Sequence, residues 1–584
     1  MDPGLDGDGT ALREWLSARG ISSRTLSWLA PLAFLGLFYF YPLGRILTLS
    51  FSRSENGLVG PFLEALNSSS VRNVLGFTIW QAVLSTLITL LIGLPGAYLF
   101  GRFSFRGKNL LRALTGVPFV MPTLVVAMAL NAFLGPRGWI NLGLMALFDL
   151  SDPPIQFVNT LWAIVLAHVF YNTTIVLRLV GDFWAHLDPR LTQAARVLGA
   201  NRWQSWRQVT LPILMPAITA AALLVFIFDF TSFGVILVLG GPQFATLEVE
   251  IYYQTISLFN LPLAAVLSVI QLGATLGLTV AYTRLSARVT RPLSLKPRTF
   301  TQRQLGNWRR KLFAGMVITL LGVLLLTPLV SLAARSVTRL DPERRQRTEV
   351  ERGLTLDFYK ELSINRRESL FYAPPTTAIA TSLGYAGATV LLALSLGLPA
   401  SWVLARDGER LLSKLFDPIL MLPLGTSAVT LGLGFIVAFN KPPLDLRASP
   451  VLIPLAHTLV AFPFVVRSLT PALRSIQPRL RQAAVVLGAS PRQVLRHIDL
   501  PLVGRALLVS ATFAFTISVG EFGATAMIGR PEYPTIPVAI YRFLSQPGGM
   551  NYGQALALST ILMLVTAGGM LLIERFRIAD VAEF

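Results

Sequence analysis

The chain has 584 residues, of which 53% are hydrophobic and only 14% charged, and its mean hydropathy is +0.60. That is far too apolar for a soluble globular protein, so a polytopic membrane protein is expected. A formal net charge of +20 would point to a polyanion in a soluble chain, but here Lys and Arg cluster beside apolar runs, where positive-inside topology accounts for them without nucleic acid. The absence of cysteine excludes disulfides, thiolate metal sites and thiol nucleophiles.

In chain order, residues 1–27 carry Asp2, Asp6 and Asp8 and no early apolar core. They lack the basic start of a cleavable signal and read as a cytoplasmic segment before an uncleaved first span. Stretches long enough to cross roughly 30 Å of hydrocarbon lie near 28–50, 74–100, 110–134, 158–180, 212–238 and 261–283, giving a first unit over 28–284. A basic linker at 285–311, free of Asp and Glu, leads to further stretches near 312–334, 378–404, 414–438, 450–470, 501–526 and 552–574, a second unit over 312–577. Arg102, Arg106, Lys108 and Arg112 between the second and third spans, and Arg190, Arg196, Arg202 and Arg207 between the fourth and fifth, place those loops and both termini in the cytoplasm.

The two units are copies. Gln193-Ala194-Ala195, Gly199 and Leu211-Pro212 recur as Gln482-Ala483-Ala484, Gly488 and Leu500-Pro501, each 289 residues later. The same offset pairs His168 with His457, Arg178 with Arg467, Phe233-Gly234 with Phe522-Gly523 and Ile251-Tyr252 with Ile540-Tyr541, while Gly93-Leu94-Pro95 echoes Gly397-Leu398-Pro399 at another offset. An even number of spans per copy predicts parallel halves about a pseudo-two-fold axis along the membrane normal, with solute passing between them. The repeated loops, near 186–212 and 475–501, read as a short helix, a glycine turn and entry into the next span. Leu191, Ala194, Ala195 and Leu198 form an apolar stripe that has nothing of its own to cover it, so headgroups or a partner must do so.

The spacing Gln-Ala-Ala, three residues, Gly, then Leu-Pro resembles the coupling loop of binding-protein-dependent ABC importer permeases, with Gln193 and Gln482 standing where that family usually has Glu. The resemblance implies an all-α polytopic fold of the type I importer permease class, with about twelve transmembrane helices in two parallel six-helix repeats. It implies that Gln193, Ala194, Ala195, Gly199, Leu211 and Pro212, with Gln482, Ala483, Ala484, Gly488, Leu500 and Pro501, dock two copies of an ATP-binding subunit. ATP and Mg would be held by that subunit and no cofactor by this chain, a solute-binding protein would deliver cargo, and the setting would be a bacterial inner membrane. Fusion of both halves resembles the thiamine and ferric-iron importer permeases. The run Thr231-Ser232-Phe233-Gly234, Leu239-Gly240-Gly241-Pro242 and Thr246 to Tyr252 is most similar to the thiamine members, which makes thiamine the favoured cargo and ferric iron the next.

Asp229 and Glu521 lie at apolar spans, where an ionisable group marks a transport path or pairs with a neighbouring helix; a cationic cargo would be drawn to them. Ser232 holds the position equivalent to Glu521, and the latter sits between Gly520 and Gly523, which are expected to leave room for a solute. His168 and His457, with no acid or second histidine at ligand spacing, read as inherited packing, and no catalytic or metal site is assigned. The stretch from Gly101 to Gly107-Lys108-Asn109 misses the phosphate-loop spacing, which puts ATP hydrolysis on another chain. A secondary transporter of two six-helix halves would share the span count but leave the duplicated loop unexplained. A membrane enzyme would need a convergent polar cluster that the sequence does not offer.

Overall fold

The computed structural model describes residues 23–52, 59–241, 243–289, 301–339, 353–364, 374–406, 411–442 and 444–576. Most of the N-terminal segment, Pro242, the middle of the basic linker and the end of the chain from 577 therefore lie outside the described residues. Apolar runs in a membrane must satisfy their backbone internally, and these do so as helices. The first half contains α1 (Trp28–Phe51), α2 (Ser69–Arg102), α3 (Lys108–Val120), α4 (Thr123–Leu134), α5 (Leu161–His186), α6 (Pro189–Val197), α7 (Leu211–Phe230), α8 (Gly234–Leu239), α9 (Leu247–Tyr252) and α10 (Leu261–Val289). The second contains α11 (Trp308–Leu325), α12 (Thr327–Arg335), α13 (Pro375–Arg406), α14 (Leu411–Met421), α15 (Ala428–Ala438), α16 (Leu452–Arg474), α17 (Pro478–Val486), α18 (Leu500–Gly520), α19 (Gly523–Ile528), α20 (Ile536–Leu544) and α21 (Gly549–Phe576). Among the described residues eleven helices are long and apolar enough to cross a membrane, and one bent pair makes a twelfth.

Four of the expected spans are interrupted. The run 110–134 stops at Met121, which precedes Pro122 and is pushed to ψ 135°, because a following proline ring disfavours the helical well. Its counterpart 414–438 turns by 98° between Phe416–Gly425 and Ala428–Ala438. The runs 212–238 and 501–526 likewise end early, at Phe230 and Gly520, and restart as the short α8 and α19.

Within each half the long helices form one bundle: α2 packs on α5 and α7, and α13 on α16 and α18. The outer helices cross over. α1 lies against α13 and α15 of the other half, α11 and α12 lie against α2 and α4, and α21 reaches α3 and α4. Polar ties follow the same exchange: the Tyr39 and Thr426 hydroxyls are 2.7 Å apart, Ser331 Oγ donates to the Ala132 carbonyl at 2.7 Å, and Arg178 pairs with Glu574 at 2.6 Å. After the linker, Arg303-Gln304 (β2) pairs in parallel with Phe103-Ser104 (β1) and the Thr301 hydroxyl donates to the Ala185 carbonyl, so the linker's end is fastened to the first half.

Candidate coupling loops and translocation path

The two repeated loops have the same shape. Pro189 and Pro478 open α6 and α17 at a helix start, where proline costs no hydrogen bond. Both helices end at a left-handed glycine, Gly199 at φ 93° and Gly488 at φ 85°, a conformation that side-chain-bearing residues avoid. The following amides close the turn, Ala200 N–H onto Ala195 O at 3.0 Å and Ala489 N–H onto Ala484 O at 2.9 Å. A second short helix is capped reciprocally in each copy. Asn201 N–H donates to Gln204 Oε1 at 2.9 Å and Gln204 N–H to Asn201 Oδ1 at 2.8 Å; Ser490 and Gln493 repeat this at 2.8 and 3.4 Å.

The tips of these loops are apolar and uncovered. α6 has no buried residue, Gln193, Ala194, Gln482 and Ala483 are exposed, and the tips Val197-Leu198 and Val486-Leu487 are 86–87% exposed. Sequence reasoning named Leu198 but not Val197, Val486 or Leu487. Periodicity places them on a helix face without saying that nothing in the chain covers that face. Leu211 is half-buried, while Pro212, Leu500 and Pro501 are exposed at the start of the next spans. The copies differ beneath the tips: Arg481 Nε lies 2.7 Å from the buried Asp499, where the first half has Thr192 and Thr210.

Of the expected path residues, Glu521 is the most fully engaged. Glu521 accepts from Ala524 N–H at 2.9 Å, Thr525 N–H at 3.1 Å and the Thr525 hydroxyl at 2.8 Å, and lies 3.2 Å from His457 Nε2. It therefore caps α19. The glycines beside it do not open space for a solute: a Cβ on Gly520 would stand 2.8 Å from Pro122 Cγ, and one on Gly523 would stand 3.0 Å from Ala428 Cβ. Gly520 lets the second half touch Pro122 of the first, and Gly523 lets α19 approach α15 within the second half. Asp229 is fully buried, accepts from Asn172 Nδ2 at 2.7 Å and lies 3.5 Å from His168 Nδ1, which also meets the Ser85 hydroxyl at 3.1 Å. Ser232 is half-buried, and its carbonyl accepts from the Thr246 hydroxyl at 3.3 Å.

These two clusters are one cluster with its acid moved. In the second half Ser518 holds Asp229's repeat position and bonds His457 Nδ1 at 2.8 Å, and it donates to Thr389, the counterpart of Ser85, at 3.1 Å. Each half keeps one histidine and one acid, Asp229 in the first and Glu521 in the second. The sequence shows no acid beside either histidine, because folding brings it from another helix. Among the described residues no group of three or more His, Asp or Glu side chains converges.

On the axis between halves, repeat-equivalent aromatics meet. Phe233 stacks on Phe522 at 5.6 Å and 21°, flanked by Tyr252 at 5.4 Å and Tyr541 at 5.6 Å. Beside them Glu248, only 1% exposed, accepts from Gln271 Nε2 at 2.5 Å and from the Ser427 hydroxyl of the other half at 2.6 Å. Sequence spacing does not single out Glu248, because its partner Ser427 is 179 residues away. The repeat offset already matched the four aromatics, and self-matched residues on a two-fold axis were the available signal for this closure.

Residues 93–291 and 397–577 match the family model described as the binding-protein-dependent transport system inner membrane component. The chain is 28% identical over 506 residues to the thiamine transport system permease protein ThiP of Brucella suis biovar 1 (strain 1330), covering 85% of this chain and 86% of that one. It is 26% identical over 496 residues to ThiP of Escherichia coli (strain K12), with coverage of 82% and 85%. Against the probable ABC transporter permease protein y4fN of Sinorhizobium fredii (strain NBRC 101917 / NGR234) it is 25% identical over 533 residues, with coverage of 89% and 90%. The two matched segments take up well over half of the polypeptide, and the chain belongs to the family of binding-protein-dependent transport system inner membrane components, carrying two copies of its permease module in one multi-pass chain.

Proposed function

We propose that this permease is the membrane subunit of an ATP-driven importer that passes thiamine, received from a solute-binding protein, through the axis between its halves into the cytoplasm, with ferric iron as the second cargo to test. The observation that carries the ATP-driven part is the pair of matched loops with uncovered apolar tips. Two such tips suit two copies of an ATP-binding subunit, which would hold the ATP and Mg while this chain does no catalysis, and they imply that the loop-bearing end and both termini are cytoplasmic. Relatives named as thiamine permeases over most of the chain support the cargo. The aromatic closure at Phe233, Phe522, Tyr252 and Tyr541 suits a cationic ring solute, since aromatic faces attract organic cations by about 0.5–2 kcal/mol. Asp229, Ser232 and Glu521 serve in this reading as supports of the wall around the path.

The test is uptake by the permease reconstituted with its ATPase and binding protein, thiamine against ferric iron. ATP-dependent accumulation of thiamine is expected. Accumulation of iron alone would move the cargo, and accumulation driven by an ion gradient without an ATPase would return the chain to the secondary-transporter class.

A further inference from the structure

Under the first coupling loop lies a cavity of about 230 Å³ whose wall holds Arg102, Arg196, Arg202, Arg303 and Arg310, with Trp206 among its aromatic residues and no Asp or Glu. Among the described residues Arg196, Arg202, Arg303 and Arg310 form no ion pair or side-chain hydrogen bond. Arg102 donates to the Leu187 carbonyl at 3.2 Å. Asp188, whose charge reaches Arg102, is already engaged as a cap, accepting from Arg190 N–H at 2.9 Å. Three separate parts of the chain supply the arginines: the end of α2, the loop around α6, and the strand β2 with the start of α11. The β1 and β2 pairing sets the backbone of Arg303 beside that of Phe103, which brings the linker's end to the cavity.

Positive charge on an inward-facing loop needs no ligand to explain it, and the second half is the control for that reading. There the positions of Arg196, Arg202, Ser205 and Trp206 are taken by Val485, Pro491, Val494 and Leu495, and the Arg481–Asp499 pair closes the place of Thr192 and Thr210. The two loops share a backbone shape, yet the second has apolar residues at the positions that place Arg196 and Arg202 around the space under the first.

We propose that this cavity is a binding site for a phosphate-bearing anion. Guanidinium groups match phosphate oxygens in geometry and charge, and basic pockets at the inner ends of membrane helices take phosphorylated headgroups. The anion comes either from an anionic phospholipid or from a soluble phosphate compound. Bound there, it would bridge α2, the coupling loop and the linker, and so stiffen the first loop where the Arg481–Asp499 pair stiffens the second.

The experiment uses the full chain in nanodiscs, so it needs neither ATPase nor cargo and its outcome is separable from the importer reading. One arm titrates labelled inorganic pyrophosphate into phosphatidylcholine nanodiscs. The other measures by native mass spectrometry the phosphatidylglycerol retained from mixed nanodiscs. Saturable binding in either arm is expected, and the arm that binds names the source. Arg202→Gln/Arg303→Gln should weaken it about tenfold or more. Arg202→Lys/Arg303→Lys should keep most of it, and Arg492→Gln on the second loop should change nothing. Arg196→Val copies the residue that the second half uses and guards against misfolding; it too should weaken binding. No binding above background in both arms, or equal binding by the wild type, Arg202→Gln/Arg303→Gln and Arg196→Val, overturns the proposal.

Discussion

The Glu521 carboxylate serves the Ala524 and Thr525 amides, the Thr525 hydroxyl and His457 together, a set of partners that a passing solute would have to displace. Glu521→Gln keeps one acceptor oxygen and loses the other, so it is expected to cost about 1–3 kcal/mol of stability. The melting temperature in detergent should fall, while uptake per folded molecule stays unchanged. Lost uptake with unchanged melting would put Glu521 in contact with cargo instead. The moved acid offers a second test. Asp229→Ser leaves the Asn172 amide without its acceptor and is expected to destabilise by about 1–3 kcal/mol, whereas adding Ser232→Glu places an acid where the second half has one. If the double variant melts no higher than Asp229→Ser alone, the two clusters are not equivalent. The chain showed that Glu521 stands where the first half has Ser232 and that each acid either lines a path or pairs with a neighbouring helix, but not which partner it meets, because the rotation of α5, α7, α16 and α18 decides that and the sequence periodicity of a span buried on most sides does not reveal it.

At the scale of elements, the loops were the most readable part. The short helix and the glycine turn of each were read from spacing, while the proline starts and reciprocal caps, though also local contacts, were not. At Gly199 and Gly488 an added Cβ would meet nothing within 4 Å. Gly199→Val or Gly488→Val should therefore cost only backbone strain, about 1–2 kcal/mol. Membrane insertion should be normal while transport-coupled ATP hydrolysis falls. Normal coupling in both variants would remove the loops from the coupling role. Replacing the tips, Val197→Ser/Leu198→Ser or Val486→Ser/Leu487→Ser, should reduce co-purification of an ATPase subunit without lowering the melting temperature of the isolated chain, because these side chains pack on nothing in it. A fall in melting temperature would mean that they do. The breaks at Pro122 and between α14 and α15 were harder to see, since hydropathy sums apolar residues and does not register that the chain turns among them.

At the scale of the molecule, duplication and parallel halves followed from a constant offset and an even span count, but the exchange of outer helices did not. Helix partners hundreds of residues apart leave no local trace. Because α1 packs on α13 and α15 while α11 and α12 pack on α2 and α4, neither half completes its own surface. Expression of the chain as two pieces cut within 290–300 should give little of either piece alone and a co-purifying pair when both are made. Stable accumulation of the first piece by itself would contradict the exchanged packing.

The buried Tyr39 hydroxyl finds its partner Thr426 387 residues further along. At roughly 5–20 residues per second of synthesis, the first helix waits on the order of 20–80 s in the bilayer with that hydroxyl unmatched, which is also the time before its apolar face meets α13 and α15. Throughout that interval the nascent chain is a membrane protein with an unfinished seam. A quality-control protease or insertase that recognises an orphaned polar group in lipid therefore has a defined window on this polypeptide, and the window closes when the ribosome has delivered the second half.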